Sequence, residues 1–330
     1  MALVERLAEN IWRIGVVLPQ NPLKELNSYF IRGDTGDLLI DTGFRRRECQ
    51  EALEAGLREL KAERDRCDVY LTHCHSDHAG LADLFVGKNR QIFMSRVDLA
   101  QMRDMVYGDF HMERSRRFVQ EGFDPAQIQE AYDNNPARIM AVGEITDQYT
   151  GLEDGAQFQV GDYTLQMLLM PGHTPGNTML WEARHGIMFT GDHILYDITP
   201  NITLWDSDTD YLGLYLDSLR AAAAYPVRTS YPGHRHRGDY QKRIKEMLFH
   251  HARRLEAVIG IVCRAPGLSA YEIASRMKWR FHADTWEDAM VTQKWFATGE
   301  CLAHLEHLRR SGAVVREYNG NTYLYYAAGT

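Results

Sequence analysis

Three histidines and an aspartate stand within six positions of "VYLTHCHSDHAG", residues 69–80: His73, His75, Asp77 and His78. Imidazole and carboxylate are ligands for zinc, iron or manganese. On an extended segment His73 and His75 point the same way, because side chains alternate with period two. Asp77 and His78 follow where the chain turns, so they can face a second point nearby. The alternative is a solvated surface cluster. Three later stretches echo the pattern: "MPGHTPGNT" carries His173, "FTGDHI" carries Asp192 and "SYPGHRH" carries His234. Each of these, taken alone, reads more readily as a structural turn residue. Together the four stretches supply five histidines and two aspartates. That exceeds the four ligands of a tetrahedral zinc and suits two metals bridged by a carboxylate.

All four stretches lie where apolar runs end, and strand-end loops are where a rigid scaffold presents chemistry. "IWRIGVVLP", "LNSYFIRG" and "DLLIDTG" predict three successive strands, the last two joined by the turn-like "GDTGD". "RRRECQEALEAGLREL" predicts an amphipathic helix with Leu53, Leu57 and Leu60 on one face. "CDVYLTHCH" predicts a buried strand, and "QIFMS" another. From Ser95 to about Tyr132 the pattern is helical, with Ser95 and Asp98 spaced as a capping box. Asp124 and Pro125 suit the cap and first position of a further helix. Strands resume with "AQFQVG", "YTLQMLLMPGH" and "IMFTGDHIL". A helix, the short strand "TSYPGH" and a long helix over about 238–262 follow. The pattern is that of a mixed α/β protein with two related halves and a helical insertion at about 97–135.

Hydrophobic residues form 45% of the 330 residues and charged residues 25%, an ordinary globular composition with room for a second, smaller domain. The net charge of -8 argues against a protein dominated by nucleic-acid binding. The cysteines, Cys49, Cys67, Cys74, Cys263 and Cys301, are scattered and odd in number, which reads as reduced thiols in a cytoplasmic protein. "MALVERLAENIWRIG" lacks a signal-peptide core, and no apolar run approaches a membrane span.

HxHxDH, "PGHTPG", "TGD" and "YPGH", in this order, resemble the metallo-β-lactamase superfamily of hydrolases, over about residues 10–245. The resemblance implies a four-layer αβ/βα sandwich with metals at one edge of two sheets. It implies a glyoxalase-II-like ligand set: His73, His75 and His173 on a first metal, Asp77, His78 and His234 on a second, and Asp192 between them. "LIDTG" matches an early motif of the family, so Asp41 would orient a ligand histidine as an acceptor behind it. The cofactors implied are two divalent metal ions, zinc first, with iron or manganese as alternatives. Such ions acidify a shared water, making hydroxide available near neutral pH for attack on an electrophilic carbonyl or phosphorus. Asp77 would orient that nucleophile and accept its proton. Of the other histidines, His193 and His236 adjoin ligands, while His250, His251, His304 and His307 read as solvated faces of helices. Cys74 reads as a core thiol.

The tail extends the resemblance to lactamase-like hydrolases with a C-terminal winged helix, some of which are endoribonucleases. Ser269 and Glu272 predict a capping box opening "AYEIASRM". "GECLAHLEHLRRSG" predicts a second helix with Leu302, Leu305 and Leu308 inward, and "VVREYNGNTYLYYA" a hairpin turning at Asn319-Gly320. The expected domains are a metallohydrolase over 1–245 and a linking helix with a winged-helix-like module over 246–330. Residues 241–330 carry thirteen Lys and Arg against nine Asp and Glu, or +4, leaving -12 for the rest. This permits nucleic-acid contact without favouring it, because Arg309 and Arg310 lie at the helix C-terminus, away from the end that reads bases. The module reads better as a packing element that shapes the substrate entrance and could support a homodimer. Met102, Met105, Tyr107, Phe110, Met112, Phe118 and Phe123 of the insertion read either as a lid forming an apolar acyl pocket or as packing residues. The expected activity is hydrolysis of a small ester, thioester or lactone. The alternatives are cleavage of single-stranded RNA and a mononuclear iron persulfide dioxygenase.

Overall fold

The computed structural model describes residues 3–281 and 283–329. Two compact units emerge: residues 1–108, 136–200 and 220–244 form the first, and residues 109–135, 201–219 and 245–330 the second.

The first unit is built on two sheets. Seven strands run in sequence order across the first sheet: β1 (Val4–Ala8), β2 (Ile11–Val17), β3 (Glu25–Ile31), β4 (Asp37–Ile40), β5 (Cys67–Tyr70), β6 (Ile92–Ser95) and β7 (Tyr149–Leu152). The pairings β1–β2, β2–β3 and β3–β4 are antiparallel, whereas β4 to β7 pair in parallel. The second sheet has the order β12-β11-β10-β9-β8, from β8 (Gln157–Val160), β9 (Tyr163–Leu169), β10 (Thr178–Glu182), β11 (Ile187–Gly191) and β12 (Thr229–Pro232). Inward residues of both sheets share one apolar core, Tyr29, Ile40 and Tyr70 from the first and Leu165, Leu180 and Phe189 from the second. Aligned sheets bury alternate residues of each strand in this way. Helix α1 (Arg47–Glu59) turns its buried Cys49, Leu53 and Gly56 to the body, and Gly56 lies against Ile14, where a Cβ would stand 2.3 Å from the isoleucine. Strands β1, β7 and β10 are not among the elements predicted from the sequence.

The helical insertion does not form one block. Helix α4 (Arg96–Tyr107) belongs to the first unit, while α5 (Phe110–Gln120) and α6 (Pro125–Asp133) belong to the second. Asp124 caps α6 by accepting from the Ala126 amide at 2.9 Å, with Pro125 in its first turn. In the second unit Phe118 stacks on Trp295 at 4.0 Å between ring centroids, and Phe110 on Trp205 at 5.5 Å. Phe110, Phe118 and Phe123 are buried there, as are Met102 and Met105 in the first unit, so these side chains are occupied in packing. Tyr107 and Met112 are exposed.

Downstream, α9 (Tyr240–Arg264), α10 (Ala270–Ser275) and α11 (Val291–Arg310) precede a hairpin of β13 (Val314–Tyr318) and β14 (Tyr323–Ala327). Ser269 and Glu272 form a full capping box at α10. Leu302, Leu305 and Leu308 are buried, and α11 begins well before the "GECLAHLEHLRR" stretch predicted as helix. Two histidines read as solvated are corrected. His251 on α9 and His304 on α11 are fully buried, their rings stacked at 5.3 Å, because each fills an interior position on its helix. Among the described residues no helix is long and apolar enough to cross a membrane.

Candidate metal centre

The five histidines and two aspartates come from four strand ends of the first unit. The chain leaving β5 carries His73 and His75, then turns into the one-turn helix α2 (Ser76–Ala79) with Asp77 and His78. The loop after β9 carries His173, the end of β11 presents Asp192, and the end of β12 presents His234. Their donor atoms form three overlapping groups, His73 with His75 and His173, His73 with His78 and Asp192, and Asp77 with His78 and His234, each within 4.8 Å. All seven residues are brought together. Asp192 lies centrally: its Oδ2 stands 3.9 Å from His173 Nε2 and 3.5 Å from His234 Nε2, and its Oδ1 3.5 Å from His78 Nε2. Gly233 leaves room for this approach, since a Cβ there would lie 2.5 Å from Asp192 Oδ1 and 2.9 Å from His78 Cε1.

Three imidazoles are anchored from behind. Asp41 faces His78 Nδ1 at 2.7 Å and accepts from the Thr72 amide at 2.9 Å and hydroxyl at 2.8 Å. Its own backbone is left-handed, at φ 59°. His234 Nδ1 donates to the Glu25 carbonyl at 2.8 Å. The Thr72 oxygen, its proton given to Asp41, accepts from His73 Nδ1 at 3.0 Å. Each bond assigns the proton to Nδ1 and turns the Nε2 lone pair inward, the arrangement a metal ligand needs.

The donors fit cations. His78 Nε2 and His234 Nε2 face each other at 3.3 Å, and His73 Nε2 faces His75 Nδ1 at 3.0 Å. Facing lone pairs repel unless a proton or metal ion lies between them. The buried Oδ1 of Asp192 has no hydrogen-bond partner among the described residues. Burial drives His73 well below its ordinary range, with His78 beside it adding to the shift. Burial and the neighbouring His173 push His75 down to about 3. Burial also opposes protonation of His78 and His234, but carboxylates overcome it. Asp41 and Asp192 hold His78 well above its usual range, and Asp192 with Asp77 raises His234 to about 9. Burial alone would raise both aspartates. Instead His78 and His234 hold Asp77 at about 2, and His234 and His78 keep Asp192 well below the carboxylate range. The centre therefore offers neutral imidazoles on one side and ionised carboxylates on the other, a hard and borderline donor set for divalent ions.

Of the histidines beside the ligands, His193 is buried and His236 exposed. Cys74 is buried. Sequence reasoning missed Thr72 and the Glu25 carbonyl, neither of which carries a signal in residue type. It also missed the carboxylate of Asp98, which accepts from Cys74, Thr174 and Gly176 beside His73, His75 and His173.

A model of the metallo-beta-lactamase superfamily matches residues 24–234, more than half of the chain. The atrochrysone carboxyl ACP thioesterase of Emericella nidulans is 26% identical over 234 residues, 71% of this chain and 58% of that protein, so the chain spans little more than half of that relative. The acyl-coenzyme A thioesterase MBLAC2 of Bos taurus is 30% identical over 217 residues, 63% of this chain and 72% of that protein. The crystal structure of a metallo-beta-lactamase family protein from Thermus thermophilus superposes with a TM-score of 0.82 at 28% identity, covering 98% of this chain and 100% of that one. The matched residues run from β3 to His234 and contain every residue of the centre, so the chain belongs to the metallo-beta-lactamase superfamily.

Proposed function

We propose that this chain is a metal-dependent hydrolase of thioesters. The observation that carries the reading is the convergence of seven donors, most of them buried, with Asp192 between two groups of them. His73, His75 and His173 would hold one divalent ion, and Asp77, His78 and His234 a second. Asp192 would be shared, with zinc the first expectation. Bound divalent ions supply Lewis acidity, which acidifies water and offsets negative charge on oxygen.

The chain's own residues supply the rest. Asp77, held near 2, is ionised at neutral pH, and its carboxylate would accept a hydrogen bond from a nucleophilic water and orient it. Asp41, Thr72 and the Glu25 carbonyl hold the imidazoles in single orientations, so little reorganisation is left for the reaction itself. Hydrolysis of a thioester forms a carbon–oxygen bond and breaks a carbon–sulfur bond. The leaving thiol has an ordinary pKa of about 8.5, so it departs as thiolate without a strong general acid. An alkoxide would need one. The names of the relatives, an acyl carrier protein thioesterase and an acyl-coenzyme A thioesterase, point to the same bond.

The helix, helix, hairpin order of α10, α11, β13 and β14 supports a winged-helix-like module, which we read as packing rather than nucleic-acid binding. Arg309 and Arg310 are both engaged by the buried Glu306, at 2.7 and 2.8 Å, which offsets part of their charge toward phosphate. A cytoplasmic location and a homodimer complete the proposal. Purified protein loaded with zinc should release thiol from short acyl-coenzyme A esters, followed with a thiol reagent, and should contain two ions per chain. One iron per chain with oxygen uptake, or cleavage of single-stranded RNA without thioester turnover, would replace this reading.

A further inference from the structure

Asp98 is spaced from Ser95 as the third residue of a capping box, and half of the box exists: the Asp98 amide donates to Ser95 Oγ at 3.1 Å. In a full box the carboxylate reaches back to the cap's own amide. Here it does something else. Asp98 Oδ2 accepts from the Cys74 amide at 2.9 Å and from Thr174 Oγ1 at 2.6 Å, and Oδ1 accepts from the Gly176 amide at 2.6 Å. The side chain is fully buried, and every one of these groups lies in the first unit. Ser95 adds a bond from its hydroxyl to the Gly176 carbonyl at 2.6 Å. The loop runs so close that a Cβ on Gly176 would meet Ser95 Oγ at 2.3 Å and the Asp98 nitrogen at 2.4 Å.

The two loops joined by this carboxylate are the two that carry the first ligand group. Cys74 lies between His73 and His75, and Thr174 follows His173. Fixing the Cys74 amide fixes the peptide unit that follows His73 and leads into His75. Fixing Thr174 and Gly176 does the same for His173. We infer that Asp98 is a positioning residue that ties the His73–His75 loop to the His173 loop and sets the geometry of the first metal-binding group. The inference rests on the proposed metal reading. It makes a local demand of its own, because the second group, Asp77, His78 and His234, is anchored by Asp41 and the Glu25 carbonyl and not by Asp98.

The test separates the two groups. In a His234→Ala background the first group is the intact one, and in a His75→Ala background the second is. Zinc affinity is measured in each by competition with a chromophoric chelator, with the absorption spectrum of the cobalt-loaded protein as a second readout. Adding Asp98→Asn, which turns one acceptor oxygen into a donor facing N–H or O–H groups, should weaken the first background by about 10–100-fold, as loss of a partner behind a ligand does. The second background should change less than about threefold, a margin set well below that range. Thr174→Val removes one of the bonds and should act in the same direction by a smaller factor, which keeps the test open if Asp98→Asn folds poorly. Equal weakening of both backgrounds means general loosening and overturns the inference, as does no change in either. An unaltered chain that binds neither zinc nor cobalt overturns the metal reading and this inference together. Tight binding by the unaltered chain with indifference to both substitutions overturns this inference alone.

Discussion

Two buried histidine clusters, one in each unit, use the same side chain to opposite ends. In the first unit five imidazoles surround Asp77 and Asp192, with Asp41 behind His78. In the second, His251 and His304 face each other. His304 Nδ1 donates to the Glu300 carbonyl at 2.7 Å, so its Nε2 is an acceptor and receives His251 Nδ1 at 3.2 Å. That chain of bonds ends on His251 Nε2, buried without a hydrogen-bond partner among the described residues. Burial drives His304 down to about 4 and His251 well below its usual range, with His304 adding to the latter. What separates the clusters is the carboxylates. Burial penalises the imidazolium in both, but Asp41, Asp77 and Asp192 outweigh that penalty at His78 and His234, and no carboxylate does so at His251. Carboxylates thus set the charge of His78 and His234 in the first cluster, and the second cluster stays uncharged.

The comparison breaks most visibly at Asp192. Asp192→Ala should remove the shared ligand, lower bound metal from two ions to one and cost several kcal/mol of transition-state stabilisation. At about 1.4 kcal/mol per factor of ten, that is a loss of about 100-fold or more in kcat. A variant with full metal content and unchanged turnover would end the two-ion reading. The mirror experiment is His304→Ala. It leaves His251 Nδ1 buried and unpaired, a cost of about 1–3 kcal/mol. Metal content and kcat/KM should stay as they were, and urea unfolding should register the loss. If metal content falls instead, the second cluster is not the inert one described.

Acid should sharpen the contrast. His304 has a folded value near 4 against an ordinary 6.5, so between those values the unfolded chain binds the proton and the folded chain does not. Stability contributed there is fully present above pH 6.5 and is lost as pH falls toward 4, with a slope of up to about 1.4 kcal/mol per pH unit for one proton. The same slope measured in His304→Gln should be shallower, and an identical slope would exclude His304 as its source. His234 has the reverse sign in metal-free protein. Its folded value near 9 lies above the ordinary one, so it takes up a proton at neutral pH that a bound ion must displace. Zinc binding at pH 7.5 should therefore release protons, seen by calorimetry in buffers of different ionisation enthalpy. No buffer dependence would contradict that picture.

The smallest effect is expected at Arg309 and Arg310. Both are partly exposed and satisfied by Glu306, so replacing both with Ala should leave turnover unchanged and oligonucleotide retention at background. A salt-sensitive, sub-micromolar complex lost in that variant would move the RNA-cleaving alternative forward.

Much of the centre was legible in the residue order because the residues that converge there come in short-range patterns. His73, His75, Asp77 and His78 occupy a strand end and the turn after it, where period and direction change within a few residues. His173, Asp192 and His234 stand between glycines and strand ends that read as loops on their own. Strand and helix periodicity placed most of both sheets and the long helices for the same local reason. Other features depend on contacts distant in the chain. β1 and β7 are short and weakly patterned, and each takes its conformation from a neighbour, β2 and β6. His251 and His304 sit on helices with polar neighbours, and only the packing of α9 with α11 decided that they are interior. The assignment of α5 and α6 to the second unit, while α4 stays in the first, follows from which aromatic faces meet. Asp98 shows the division within a single residue. Its spacing from Ser95 determined the start of a helix, a matter of local hydrogen bonds. Its carboxylate was claimed by Cys74, Thr174 and Gly176, groups 24, 76 and 78 residues away, because only the folded chain brings those donors into a site without water to satisfy them.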